Sequence, residues 1–588
     1  MFKKIIPDIR YRFRNQWQKF LDQNRKKSHN LVSSRPFWIR IKQFRQQKKG
    51  STIPKLVKDG KEYEKNIDKA NLFAEILKNT FSGSKNLAFN QKFKEQIEKE
   101  VNNRDKKTAE ISCFTMEELV SSIKSIRANS APGPDKITNH MIKNFPASFL
   151  EVVLELFNLT LKCEKIPESW KIASIQMIPK KNVSSNPTDY RPISLTSCLG
   201  KLCEKIIGNR MRSFLEENKK LSKRQSGFRK KRGTWDNLVY LAQKIAENIN
   251  RGQKLLCIFF DIEKAFDNVW HKGLIWKLMN MKVPTYLVNW IESFLFGRSF
   301  YVKLNESQSI TYEIEAGVPQ GASISPILFM IFINDIPLED NEGISESLLF
   351  ADDLVTMFDL EGSNEVVQKR IDNYMEKMEE WFRQWRLCPS IGKCCYTVFS
   401  GNGHEEKTIK PKLFGKELKK DDNPKLLGIV FDKTLSFGAQ VKAIKEKVSN
   451  RINIIKILSH RSWFIDKKTL TNLYLSLVRS VIDYSFVVIS RLSTKNLKSL
   501  EAAQNVSLRC IHHLPFRSHG ADVRKIAGLN SIKERLERLG KNYLVKCKES
   551  SNPLIGDLCK KYNYTSSFYN NLTKATPLCI ISNRAVNG

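Results

Sequence analysis

Ser347-Leu-Leu-Phe-Ala-Asp-Asp-Leu-Val-Thr-Met-Phe358 is the stretch on which the fold turns. Two β-prone runs, 347–350 and 354–358, flank Ala351-Asp352-Asp353, and that spacing predicts a hairpin with both aspartates at its tip. By itself an Asp-Asp pair is an ordinary turn. Ninety residues upstream, however, Leu255–Phe260 is a short apolar run that ends at Asp261, and it reads as a buried strand. Carboxylates at the ends of buried strands repel one another, and a divalent cation is the usual offset. Oxygen-only ligands select Mg²⁺ or Mn²⁺ over zinc. Two such ions about 3.5–4 Å apart can activate an attacking hydroxyl and stabilise the leaving oxygen of an in-line phosphoryl transfer.

Composition agrees with a phosphate-handling chain. Lys and Arg number 99 against 61 Asp and Glu, a formal charge of +38. Each cation set beside a nucleic-acid phosphate releases a condensed counterion, so this excess favours a polyanionic partner. The charge is uneven: residues 1–50 hold fifteen Lys or Arg and only Asp8 and Asp22, the pattern of a basic arm. At 588 residues with 41% apolar side chains, global disorder is excluded, and roughly 100–200 residues per domain gives three or four packed units. The twelve cysteines show no paired C-x₂-C spacing, which argues against a zinc knuckle and for reduced thiols. The charged start lacks an apolar signal region, and no stretch nears about 18 uninterrupted apolar residues, so no membrane span is expected.

Around the hairpin, local signals place further elements. Thr115-Met-Glu-Glu118 is a capping box opening a helix to about Arg127, broken by Ala131-Pro-Gly-Pro-Asp135. Helices are expected at 149–161 and 283–296, and a strand at 170–178. Ser325-Pro326 reads as N-cap and N1 of a buried helix over 327–336. Asn364–Trp385 is a long amphipathic helix, and Asn66–Phe81 carries apolar residues at helical spacing, either a docking helix or a linker that folds on RNA. From Lys433 onward the pattern is helical and basic, with a loosely specified end.

Phe350-Ala-Asp-Asp353 resembles the signature of reverse transcriptases. Asp261-Ile-Glu-Lys-Ala-Phe-Asp267 resembles the palm motif that holds the first aspartate, and Gly317-Val-Pro-Gln-Gly-Ala-Ser-Ile-Ser-Pro326 the segment that follows it. Tyr190-Arg-Pro-Ile-Ser-Leu195, preceded by Ile178-Pro-Lys-Lys181, is similar to the fingers motifs. Ser130-Ala-Pro-Gly-Pro-Asp135 and Gln225-Ser-Gly-Phe-Arg229 match two more blocks. Six blocks in family order, over about 111–432, resemble the non-LTR retrotransposon polymerases of the jockey-like type.

The resemblance implies an α+β fold: a right-hand polymerase with fingers, an antiparallel-sheet palm and a helical thumb, plus a basic N-terminal extension. It divides the chain into an extension or linker (1–105), fingers and palm (106–432, core about 161–432) and a helical thumb with C-terminal region (433–588). It implies an RNA-directed DNA polymerase that extends a DNA 3′-hydroxyl on an RNA template. Asp261, Asp352 and Asp353, with the backbone carbonyl of Ile262, would hold Mg²⁺, with Mn²⁺ as the substitute. Lys180 and Arg191 would neutralise the triphosphate. Phe266 would be the steric gate against a ribose 2′-hydroxyl, and Gln320 and Gly321 would lie along the nucleotide and template. Lys393, in Trp385-Arg-Leu-Cys-Pro-Ser-Ile-Gly-Lys393-Cys394, would protonate the departing pyrophosphate. There Ser390 stands where the family has asparagine, beside an unusual Pro389. Leu426-Leu-Gly-Ile-Val-Phe-Asp432 resembles a strand at the palm–thumb junction.

The implied partners are template RNA, primer or target DNA and deoxynucleoside triphosphates. The implied setting is intracellular, in the nucleus when acting on chromosomal DNA and otherwise in the cytoplasm with RNA. The oligomeric state is left open. Neither the family's upstream endonuclease nor an RNase H signature is legible, so the chain reads as a truncated or separately encoded polymerase portion. Two competing readings stand beside the active polymerase: a nucleic-acid-binding remnant with little catalysis, and a relative of group II intron maturases or telomerase.

Overall fold

The computed structural model describes residues 53–556, apart from 84–88, 108–109, 181–182, 339–344, 402–408, 488–491 and 549–551. The basic arm at 1–50, Lys181 and the loosely specified end lie outside the described residues. Helices and sheets are mixed along the chain.

The central sheet has the strand order Lys419–Lys420, Cys395–Phe399, Leu255–Phe260, Asp353–Asp359, Ser345–Phe350. The last four pair antiparallel, with Leu354 opposite Phe260 and Asp353 opposite Phe350, and Lys419–Lys420 adds in parallel. All six residues of Leu255–Phe260 are buried, because both faces of the sheet are covered. Leu256, Ile258 and Phe260 enter one core with Ile206, Ile327, Ile371 and Phe382. Leu255, Cys257 and Phe259 enter another with Leu238, Ala242, Ile444 and Leu508. A strand covered on both faces has no polar side to alternate with, hence the continuous apolar run. The second core continues into the C-terminal helices Gly438–Leu458, Lys467–Tyr474, Thr494–His512 and Ile532–Lys548.

A second sheet joins Tyr190–Leu195, Ile172–Pro179, Arg298–Leu304 and Ser307–Gln308, with Tyr312–Ile314 also on Arg298–Leu304. Its apolar face (Ala173, Ile175, Phe300, Val302) is covered by the Asn66–Phe81 helix through Ala70, Phe73, Ala74, Leu77 and Phe81. That i, i+3, i+4, i+7 stripe is the one the sequence displays. Phe73 and Phe81 are nearly fully buried, each contributing about 1.5–3 kcal/mol. Of the two readings for this segment, the docking helix is therefore the one observed.

Several local expectations hold. The capping box at Thr115 and Glu118 is formed, and Asn364–Trp385 is one helix capped by Ser363. Three need correction. The 170–178 strand begins at Ile172, after a helical turn Glu168–Lys171. Leu426–Asp432 is not one strand but a tight hairpin, Lys425–Leu426 against Ile429–Val430, because Leu427 and Gly428 both take positive φ and reverse the chain. Ser325 is not an N-cap. Ile324 already has helical φ/ψ, so the helix is Ser325–Phe332, and the Ser325 hydroxyl is buried without a hydrogen-bond partner. The orphan amide just before the helix is met instead by Glu204, 119 residues away, whose Oε2 accepts from the Ser323 amide at 2.6 Å. Among the described residues no helix is long and apolar enough to cross a membrane.

Candidate active site

The Ala351-Asp352 turn, which leads into Asp353 at the start of the next strand, is set from outside the hairpin. Ala351 takes φ 57°, a left-handed conformation that costs an L-residue about 1–2 kcal/mol. The segment 224–227 holds it there. The Ser226 amide donates to the Leu349 carbonyl at 2.9 Å and the Leu349 amide to the Arg224 carbonyl at 3.1 Å. The Gln225 side-chain carbonyl then accepts from the Gly227 amide at 2.7 Å and the Ala351 amide at 3.2 Å. Gly227 lies so close that an added Cβ would sit 2.3 Å from the Ala351 nitrogen. The block Gln225–Arg229 is legible in the sequence as a match, but its pattern assigns Gln225 and Gly227 no role. A buried glutamine beside a glycine with no room for a Cβ becomes meaningful only when the partner turn is in view.

Asp261 leaves the end of Leu255–Phe260, next to that turn. Its backbone is clamped by the 388–394 turn: the Ser390 amide donates to its carbonyl at 2.7 Å, and the Glu263 amide donates to the Cys388 carbonyl at 2.8 Å. Buried Ile262 bridges antiparallel to Pro389. The Lys393 and Cys394 amides both donate to the Ser390 carbonyl. Pro389 and Ser390 thus build the turn that brings Lys393 Nζ to 3.1 Å from Asp261 Oδ2.

The charge of Asp261 reaches both Asp352 and Asp353. Burial pushes the Asp352 carboxyl up, with Asp261 adding to the rise and Arg191 opposing it. Asp353 is pushed up to about 6 by burial, then by the charges of Asp352 and Asp261. These groups share one field at the end of one sheet. Among the described residues, no three His, Cys, Asp or Glu side chains stand close enough to form a finished metal cage; Asp261 is turned to Lys393. The donor set fits a hard divalent cation nonetheless, being all carboxylate oxygen and mutually repulsive.

The neighbouring wall comes from 266–267 and 317–321. Phe266 is half-buried, stacked on Phe329 at 4.3 Å and edge-on to Phe228 at 6.2 Å. The Val318 amide donates to the Phe266 carbonyl at 2.8 Å, and the Ser194 amide donates to the Gln320 carbonyl at 2.8 Å. Gly321 has φ +126°, and a Cβ there would meet the Ser194 oxygen at 2.7 Å, so only glycine fits. The Gln320 amide donates to Asp267 Oδ1 at 2.9 Å. Burial pushes Asp267 up to about 6 against that hydrogen bond and the charges of Lys264 and Lys180. Asp267, like Gln225 and Gly227, lies in a block legible in the sequence whose pattern assigns it no role. Arg191 is exposed and acts on Asp352. Lys180 donates to the Thr188 carbonyl at 2.8 Å and its charge reaches Asp267. The structure thus gathers Asp261, Asp352, Asp353, Lys393 and Arg191, sets Phe266, Gln320 and Gly321 on the next wall, and holds Lys180 toward Asp267.

Residues 178–431 match the family described as reverse transcriptase (RNA-dependent DNA polymerase). The chain is 29% identical over 440 residues to a probable RNA-directed DNA polymerase from transposon BS of Drosophila melanogaster, covering 74% of this chain and 48% of that protein. It is 28% identical over 478 residues to the RNA-directed DNA polymerase from mobile element jockey of the same organism, covering 79% and 51%. Against a probable RNA-directed DNA polymerase from transposon X-element, also of D. melanogaster, identity is 25% over 503 residues, covering 84% and 54%. The chain spans about half the length of the curated relatives it matches.

Proposed function

We propose that this chain, which carries a reverse transcriptase domain over residues 178–431, is an RNA-directed DNA polymerase of the non-LTR retrotransposon type that extends a DNA 3′-hydroxyl on an RNA template. The observation that carries the reading is the electrostatic meeting of Asp261, Asp352 and Asp353 at one end of the central sheet, with Lys393 on Asp261. A binding remnant would have no reason to keep three repelling carboxylates together. Relatives of the maturase or telomerase kind are disfavoured by the similarity to jockey and related elements.

The central sheet then serves as palm, the second sheet with its covering helix as fingers, and the helices beyond 433 as thumb. Asp261, the Ile262 carbonyl, Asp352 and Asp353 would hold divalent cations, Mg²⁺ or in its place Mn²⁺. Such ions would neutralise the phosphates and lower the pKa of the attacking hydroxyl. Arg191 and Lys180 add positive charge for the triphosphate. Lys393, at 3.1 Å from Asp261 Oδ2, would give a proton to the leaving pyrophosphate. Phe266, backed by Phe329, presents a ring under the incoming sugar, and the Gln320–Gly321 backbone lies flat beside it. The partners are template RNA, primer DNA and deoxynucleoside triphosphates, met in the nucleus when the target is chromosomal.

The test is primer extension by purified protein on poly(rA)/oligo(dT) with dTTP and Mg²⁺. Labelled product that EDTA abolishes supports the reading. Folded protein that binds the hybrid and extends nothing, with either Mg²⁺ or Mn²⁺, contradicts it.

A further inference from the structure

Beyond the domain match at 178–431, the C-terminal helices form an open surface pocket of about 740 Å³ lined by Lys456, His460, Arg461, Arg509, Leu514 and Phe516, among others. It lies where the C-terminal ends of Gly438–Leu458 and Thr494–His512 meet. Its walls are partly apolar: Val506, Cys510, Leu514 and Phe516. Its rim is basic: Lys456, Arg461 and Arg509, with His460 and His513. None of the lining residues is acidic, and no ion pair among the described residues holds Lys456, Arg461 or Arg509.

Helix C-termini attract cations through their exposed carbonyls, which accounts for some of the charge. It does not account for Phe516. That ring is 84% exposed, a poor location for a large apolar side chain that has nothing to meet. The Arg509 guanidinium sits over it at 5.8 Å, and Arg509 Nη2 donates to the Ser518 carbonyl at 2.8 Å, fixing the loop that carries the ring. Arg509 Nε is buried and without a hydrogen-bond partner. An exposed aromatic braced by arginine, with cations around an apolar recess, is the combination that stacks a nucleobase and holds its phosphate.

We propose that this pocket binds an unpaired nucleotide of single-stranded RNA, anchoring the template outside the polymerising cleft. The choice of RNA rests on the polymerase reading given above. Phe516 would stack the base, while Lys456, Arg461 and Arg509 would hold the flanking phosphates.

The test uses the full chain and a fluorescein-labelled 20-mer of oligo(rU), with Phe516→Ala and the double change Lys456→Ala/Arg461→Ala. The affected side chains lie at the surface or rim, and melting curves check that the variants fold. Phe516→Ala should bind the oligonucleotide about five- to 160-fold more weakly, the range for a lost base stack, and the double variant should also bind more weakly, with a shallower dependence on salt. Extension kcat on a short preformed hybrid should stay at the wild-type value. In the wild type, 5-bromouridine RNA should cross-link to the peptide 506–516. Wild-type affinity in both variants, with cross-links confined to other segments, would overturn the proposal. So would a poly-glutamate peptide that binds as tightly and shows the same loss in Phe516→Ala, since the pocket would then serve acidic polypeptides. Wild-type protein that extends no primer, while these variants still lose RNA affinity, would sink the polymerase reading and leave the pocket standing. Normal extension with unchanged RNA affinity would sink the pocket alone.

Discussion

Gly227→Ala should cripple synthesis without touching a carboxylate. A Cβ on Gly227 would lie 2.3 Å from the Ala351 nitrogen and 3.0 Å from the Phe350 carbonyl carbon, whereas ordinary contact begins near 3.4 Å. Those neighbours are backbone, not a side chain that can swing aside, so the turn must yield by about 1 Å. The residues displaced lead directly into Asp352 and Asp353. The same shift strains the hydrogen bond from the Ala351 amide to Gln225. A misplacement of about 1 Å at reacting groups can cost about 10²-fold in rate, and overpacking of this kind costs about 1–3 kcal/mol of stability. The assay is single-nucleotide extension under saturating hybrid and dTTP, with a melting curve for each protein. Gly233→Ala is the matched control, because nothing lies within 4 Å of its Cβ. The kcat should fall about a hundredfold in Gly227→Ala and hardly at all in Gly233→Ala. Wild-type kcat and melting in Gly227→Ala would mean that the 224–227 clasp does not set the turn.

Other expectations follow from the same geometry. Phe266→Val should raise ribonucleotide use relative to deoxyribonucleotide use, read as a ratio of kcat/KM values; an unchanged ratio with both rates reduced would make Phe266 only a packing partner of Phe329. Asp353 is held above its unfolded value, at about 6, so its contribution to stability is present below the unfolded pKa and lost as pH rises through about 6. Asp353→Asn should therefore melt higher than wild type at pH 7.5 in EDTA, with the gap narrowing as the pH falls through about 6 and gone only below the unfolded value of 3.8; a variant that melts lower at pH 7.5 would contradict the shared-field reading. Glu204→Ala should leave the partly buried Ser323 amide without its partner, costing about 1 kcal/mol or more, and should raise KM for nucleotide more than it loosens hybrid binding. Equal melting temperatures would show that Glu204 does not hold the 317–326 segment.

The parts legible in sequence are those fixed by short-range pattern. The hairpin, the Leu255–Phe260 strand and the Asn66–Phe81 and Asn364–Trp385 helices each announce themselves by period or by an unbroken apolar run, and all four are found. The aspartates were legible because they end such strands. The misses are long-range. Ser325 looks like a cap locally, but Glu204 from a distant helix takes that task. Gln225 reaches Ala351 across 126 residues, and no local pattern encodes such a contact. Lys393 was ambiguous in sequence because Pro389 and Ser390 depart from the family; in the folded chain those two residues form the turn that carries it to Asp261. Leu426–Asp432 misled for a simpler reason, since its apolar residues suit a strand while Leu427-Gly428 reverses the chain.

The central claim is that Asp261, Asp352 and Asp353 act as one metal-dependent site for phosphoryl transfer. The most direct measurement is single-turnover extension by Asp352→Asn alongside hybrid binding by the same protein. The substitution keeps the side chain's size and removes its charge. Extension should fall by a factor of about 10³ or more, the loss expected when several kcal/mol of transition-state stabilisation goes. Hybrid affinity should stay within about twofold, because the basic surface makes those contacts. Extension near the wild-type rate, with Mg²⁺ or Mn²⁺, would contradict the claim outright.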